Sequence, residues 1–280
     1  MPESHNMLEK LPLTGATLKT PLDMSRPGMP AADSIQNTMD FTPRAGGPTY
    51  QIIRTTESDA YDSAPSTKKV ARLLRGEKTP SVTALAAAVK AKPTGDNYQG
   101  TDRKAAKLSK ATGQLENFAD LQDLIKSLTA DAAMAKLKIK TIATSNRVQQ
   151  EERNVHVKAF LYASSKEADN DFHMIVGRDP NSTPEMYMTM EVSGLPPKGN
   201  AAFDFTDLDA ARNSFKTFFG ADKLPQAHYD FYHPPIPIEV QGSLFWDATH
   251  AKGQRPGPQS LKSRMPVIWE VHPVISIKLG

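Results

Sequence analysis

Asp171, His173, Glu191, Glu270 and His272 are the residues of this chain whose types and spacing could do chemistry. Each falls in a stretch that reads as a strand, or at its start. In each stretch the apolar residues occupy the opposite parity, so these five side chains are expected on one face of a sheet. Two imidazoles with carboxylates are a sufficient ligand set for Zn²⁺ or Mn²⁺, with a position left open for water. A water held that way ionises near neutral pH, which is the chemistry of a hydrolase. Asp171 would serve as a further ligand or a base, and Asp247 and His250 open the loop that follows. Two other readings stand beside this one. Alternation alone puts polar residues on a solvent face, where His and Glu form cross-strand pairs worth about 0.2–1 kcal/mol. A face of this kind can also hold a ligand without metal. Strand parity does not give the distances that separate these cases, since ligand atoms must converge to about 2.0–2.2 Å from one point.

A second constellation is basic. The loop Ala248–Pro266 carries Lys252, Arg255, Lys262 and Arg264 and no acid. Tyr187, Phe160, Tyr162 and Phe245 share the parity of the polar face, where aromatic rings can stack on bases. Basic loop and outward rings together favour single-stranded nucleic acid, with an affinity that falls steeply with salt. Glu191 and Glu270 on the same face would repel phosphate.

Five strands and one helix must position these groups. The strands are Val155–Tyr162, Asp171–Gly177, Met186–Val192, Ile236–Trp246 and Val267–Leu279. In the last, Val267, Trp269, Val271, Ile275, Ile277 and Leu279 alternate with Glu270 and His272. A helix capped by Asp204 or Thr206 carries Leu208, Ala211, Phe215, Phe218 and Phe219 at core spacing, and Gly220 ends it. The order β-β-β-α-β-β is that of a five-stranded OB-type barrel, a mainly β fold with α, which binds ligands through its second and third strands and two loops.

Four pieces in order, Glu167-Ala-Asp-Asn-Asp-Phe-His-Met-Ile-Val176, Met188-Thr-Met-Glu-Val192, Val240-Gln-Gly-Ser-Leu-Phe-Trp-Asp-Ala-Thr-His250 and Trp269-Glu-Val-His-Pro-Val274, carry a resemblance. They are similar to a group of poorly characterised bacterial proteins that end in a W-E-[IV]-H-P-V strand behind a D-x-D-[YF]-H strand. The resemblance covers residues 145–279 and implies an OB-like fold; it implies no activity. The likeness to staphylococcal-type nucleases stops at the order of elements.

The preceding half is organised differently. Residues 1–65 are rich in proline and glycine and read as an extended or disordered arm able to dock on a protein partner, with one short strand at Thr49–Thr56. Residues 66–144 read as a helical, basic linker region, and residues 145–280 as the OB-like domain. Helices are expected at Ser66–Leu74, Ser81–Ala91 and Asn117–Lys136, with linker at 92–113. Residues 66–90 resemble the recognition helix, turn and following helix of phage-repressor-type helix-turn-helix domains, without the two helices that should precede them. Basic residues crowd Lys68–Lys110 although the net charge is only +3, so this segment could hold an anion or simply keep a linker solvated. The chain has no cysteine, which excludes disulfides and thiolate ligands. It shows neither a signal peptide nor a run of about 18 apolar residues. A cytoplasmic protein with no membrane partner is the expectation, export by a dedicated machine aside. His156, His228 and His233 are read as an exposed strand residue and two loop residues.

Overall fold

Alternating apolar residues build a mainly β structure with a few helices and one eight-stranded sheet, ordered β1-β2-β7-β8-β6-β5-β4-β3 with a further pairing of β7 to β4. The computed structural model describes residues 28–59, 95–250 and 255–280. The strands are β1 (Ile35–Phe41), β2 (Tyr50–Thr55), β3 (Leu115–Phe118), β4 (Asn154–Lys166), β5 (Phe172–Gly177), β6 (Tyr187–Val192), β7 (Asp230–Trp246) and β8 (Trp269–Leu279). The helices are α1 (Lys104–Lys107), α2 (Leu121–Ser127), α3 (Asp131–Lys136) and α4 (Phe205–Phe219).

Five strands follow the expected ones closely. β4 pairs antiparallel with β5, and β5 with β6; β6 runs parallel to β8; β8 and β4 each lie antiparallel to β7. β4 and β7 are longer than expected, at 13 and 17 residues, because each has different neighbours along its two halves. The first half of β4 lies against β3 and its second half against β5. β7 pairs with β2 at Asp230–His233 and with β8 from Ile238 onward. His233 is therefore a strand residue and not a loop residue. Within the β8 pairing the register of β7 shifts at Gly242, where a Cβ would sit 2.5 Å from the Pro273 carbonyl oxygen. Any side chain there would force the two strands apart.

Three expectations on the N-terminal side are corrected. Residues 28–59 do not extend as an arm: β1 and β2 pair antiparallel, and β2 adds to β7 of its own chain. Phe41, Tyr50 and Ile52 supply the reason, since all three are buried in the main core. The expected helix Asn117–Lys136 is divided into β3, α2 and α3. Asp120 caps α2 by accepting from the Gln122 amide at 2.7 Å. Hydrogen bonds from Trp269 Nε1 to the Thr129 carbonyl (2.8 Å) and from Trp246 Nε1 to Asp131 (3.1 Å) hold the break between the helices. The expected linker contributes α1 and a buried ion pair, in which Arg103 grips both oxygens of Glu151 at 2.7 Å. The helices expected at Ser66–Leu74 and Ser81–Ala91, with the helix-turn-helix resemblance, lie outside the described residues, as does Lys252.

α4 agrees with expectation in its buried face of Leu208, Ala211, Phe215, Phe218 and Phe219 and in its end at Gly220, whose φ is +69°. Asp204 precedes it, but its carboxylate accepts from the Lys110 amide at 2.8 Å instead of capping the helix. The main core contains Val155, Val157, Leu161, Met188, Met190, Val192, Val240, Leu244, Trp269 and Val271 beneath α4. Ile275 leaves this core, because the bulged pairing near Gly242 brings Val274 inward; it packs beside Tyr98 and Leu108. Among the described residues no helix is long and apolar enough to cross a membrane.

Asp230 opens β7 as a buried carboxylate, 3.5 Å from Arg54 Nε. Burial pushes its carboxyl up to about 7 against the pull of Arg54. Such a group holds its proton more tightly folded than unfolded, so its contribution to stability falls as pH rises from about 4 through 7. Asp230→Asn should flatten this limb. The wild-type loss of unfolding free energy between about pH 4.5 and about pH 7.5 should exceed that of the variant in urea titrations. Parallel limbs would contradict the assignment.

Candidate metal centre

The face of β5, β6 and β8 opposite the main core carries His173, Glu191, Glu270 and His272, as alternation requires. His173 pairs directly with Glu191 across β5 and β6, and Thr189 with Glu270 across β6 and β8. This face is not at the surface. Asp171, His173, Glu191, Glu270 and His272 are each at most 2% exposed. Residues 95–109 cross it on one side, bonding through Tyr98 and Gln99 to Leu195 and Asp169. On another side the loop 255–265 is pinned to the N-terminal segment: Glu57 accepts from Ser260, and Asp59 accepts from the Gly257 amide. Tyr229, Ile175, Tyr187, Leu261 and Met265 form an apolar cluster beside the polar groups.

The enclosed groups fall into three sets, each with one donor atom per residue and all donors within 4.8 Å of one another: Asp171, Glu191 and His272; Asp247, His250 and Glu270; Asp59, Glu167 and His173. In the first, His272 Nδ1 lies 2.8 Å from Glu191 Oε2 and its Nε2 lies 3.4 Å from Asp171 Oδ2. The other Asp171 oxygen accepts from the Gly194 amide at 2.6 Å. Neither ring nitrogen of His272 makes an aligned hydrogen bond, and Asp171 Oδ2, Glu191 Oε2 and Glu270 Oε2 also have none. Buried polar atoms are normally paired, so five unsatisfied donors and acceptors facing each other ask for a partner. In the third set His173 Nδ1 meets Glu167 at 2.5 Å, with Tyr229 3.5 Å away. In the second, His250 Nδ1 contacts the Asp247 carboxylate.

Electrostatics divide the carboxyls. Burial raises Asp171 and Glu270 well above the ordinary range, and neighbouring carboxylates add to the effect: Asp169 and Glu191 for Asp171, Glu191 and Asp247 for Glu270. Burial acts on Glu191 too, but Lys107, His272 and His173 outweigh it and hold the group well below that range. Lys107 ends α1 with its Nζ 3.8 Å from both Glu191 and Asp169, and those charges keep it protonated despite burial. Burial lowers His272, whereas Glu167 lifts His173 to about 10 against burial. Glu191 is thus pushed toward the ionised form, and Asp171 and Glu270 toward the protonated form. A divalent cation would favour the ionised form of all three, since metal ligands must be deprotonated.

Sequence reasoning grouped five residues that the structure divides among three sets. It omitted Asp59, Glu167 and Lys107 as members. Glu167 stands six residues before His173 in an acidic turn and was legible as a nearby acid; Asp59 and Lys107 arrive by tertiary contact from segments without periodicity. The basic constellation is placed differently. Tyr187 is buried, donating its hydroxyl to Glu185. Tyr162 is buried with its hydroxyl on the Arg178 carbonyl (2.9 Å), and Phe245 lies under Arg103 at 4.6 Å. These rings cannot stack on bases, because the covering segments occupy their face; only Phe160 stays partly exposed. Arg255 pairs with Asp131 at 3.2 Å and Arg264 with Glu185 at 2.8 Å, while Lys262 is partly exposed. His156 is half-buried, 3.7 Å from Glu239.

No protein-family model, curated protein or solved structure matches this chain.

Proposed function

We propose that the protein is a metal-dependent hydrolase, nuclease-like in acting on an anionic phosphoester, with Asp171, Glu191 and His272 as ligands of a divalent cation. The observation that carries this reading is the set of unsatisfied, buried donor atoms those three side chains turn toward one another. A ligand set of one imidazole and carboxylates suits Zn²⁺ or Mn²⁺. A bound cation would lower the pKa of a coordinated water to about 7 and would stabilise charge on a phosphoryl oxygen. Glu191 supplies the ionised ligand. Lys107, beside it, offsets carboxylate charge that would otherwise repel an anionic substrate.

The scaffold supports the same reading. The pairings run from β4 through β5, β6, β8 and β7 back to β4, with α4 between β6 and β7. We read that circuit as supporting an OB-type arrangement of five strands, to which β1, β2 and β3 add. Lys262, partly exposed on the loop before β8, offers a positive charge that would attract a phosphate-bearing substrate.

Plasma mass spectrometry of the untagged protein should find near-stoichiometric zinc or manganese. The same preparation should cleave a single-stranded oligonucleotide, and a chelator should stop it. A metal-free preparation whose melting temperature does not move on adding divalent ions would remove the proposal.

A further inference from the structure

Glu270 stands between two of the three donor sets. It belongs with Asp247 and His250. Its Oε2 also lies 3.6 Å from His272 Nδ1, which is itself 2.8 Å from Glu191 Oε2. We infer that the centre is dinuclear: Asp171, Glu191 and His272 hold one cation, Asp247 and His250 hold a second, and the Glu270 carboxylate bridges them. The inference rests on the hydrolase reading for its first cation and adds the second.

The following observations carry it. Glu270 is 1% exposed and its Oε2 has no hydrogen-bond partner, so a buried oxygen faces the space between the sets. A carboxylate can bridge two cations through one oxygen or both, and Glu270 has contacts that reach both sets. The strand geometry places it there: Glu270 and His272 are two apart on β8 and share one face, about 6.6 Å along the strand. Side chains of that spacing can serve cations about 3.5–4 Å apart, the separation of two-metal hydrolytic sites. Asp247 is held in place, because the Thr249 amide donates to its Oδ1 at 2.8 Å; its Oδ2 is hydrogen-bonded to His250 Nδ1, a contact that a cation between them would replace. Two imidazoles and four carboxylates, three of them from aspartate or glutamate outside the bridge, form an oxygen-rich set that manganese tolerates well.

The test is Mn²⁺ loading of the full chain, read by metal analysis and electron paramagnetic resonance. Two equivalents per chain with an exchange-coupled spectrum are expected. Asp247→Asn and His250→Ala should each reduce this to one equivalent with an isolated six-line spectrum. One equivalent in the wild type would overturn the pair while leaving the hydrolase reading in place. Two equivalents that persist in both variants would also overturn it, and would direct attention to Asp59, Glu167 and His173. No bound metal would overturn this inference and the hydrolase reading together. Should the variants not fold, the wild-type spectrum decides: coupled supports the pair, isolated refutes it.

Discussion

Chelator-treated Lys107→Met protein is expected to unfold about 3–5 kcal/mol more easily than wild type, the usual cost of removing one partner from a buried ion pair. Lys107 is the cation nearest Glu191 and Asp169, 3.8 Å from each. Methionine keeps much of the stem, which also lies against Phe245 with the ammonium 5.7 Å from its ring centroid. What is lost is charge. Glu191 is then left ionised without its main counter-charge, or must take up a proton, and both states are costly in a site this enclosed. Urea denaturation with linear extrapolation measures the difference. Adding Mn²⁺ should narrow the gap, because a dication bound at Glu191 replaces part of the missing charge. A difference below about 1 kcal/mol would mean that Lys107 is not the group that balances this centre.

The second large effect concerns His272→Ala. His272 is the imidazole of the first donor set, and its ring contacts Glu191, Asp171 and Glu270 at 2.8, 3.4 and 3.6 Å. Losing even a group that merely orients a metal ligand costs about 10–100-fold in affinity or activity. Loss of the ligand itself should exceed that range, so both cation affinity and oligonucleotide hydrolysis are expected to fall by more than about 100-fold. Calorimetric titration and single-turnover cleavage read the two quantities. Unchanged cation affinity in a folded variant would exclude His272 as a ligand.

Much of the scaffold was legible because its signals are local. β4 to β8 announce themselves by period-two alternation, and α4 by phenylalanines at helical spacing. Parity also assigned His173, Glu191, Glu270 and His272 to the face away from the core. What parity could not supply was the cover over that face. The covering segments, residues 28–34, 57–59, 95–109 and 255–265, are short or irregular, and their contacts bridge large sequence separations such as Glu57 to Ser260. A polar face expected in water is therefore interior, and rings expected to meet bases are packed. β1 was missed for a related reason: Gln36, Asn37, Thr38 and Asp40 dilute its apolar pattern, and only its neighbour β2 shows the β-branched cluster expected at Thr49–Thr56. The break between α2 and α3 depends on Trp246 and Trp269, more than a hundred residues downstream, and no local rule registers it.

The two outermost strands bear on how the molecule meets copies of itself. A sheet edge with free amides and carbonyls recruits further strands, which is a route to aggregation. Here the terminal strands are β1 and β3. β1 has a register irregularity between Ile35 and Asn37, and it exposes Gln36, Asn37 and Asp40. β3 is only four residues long. A bulged, polar rim at one end and a rim too short to template another strand at the other oppose growth of the sheet in both directions. β2 meanwhile occupies the flank of β7 at Asp230–His233. Removing the hairpin would replace the guarded rim of β1 with a flank of β7 carrying Phe231 and Tyr232, to which a strand of another copy could add.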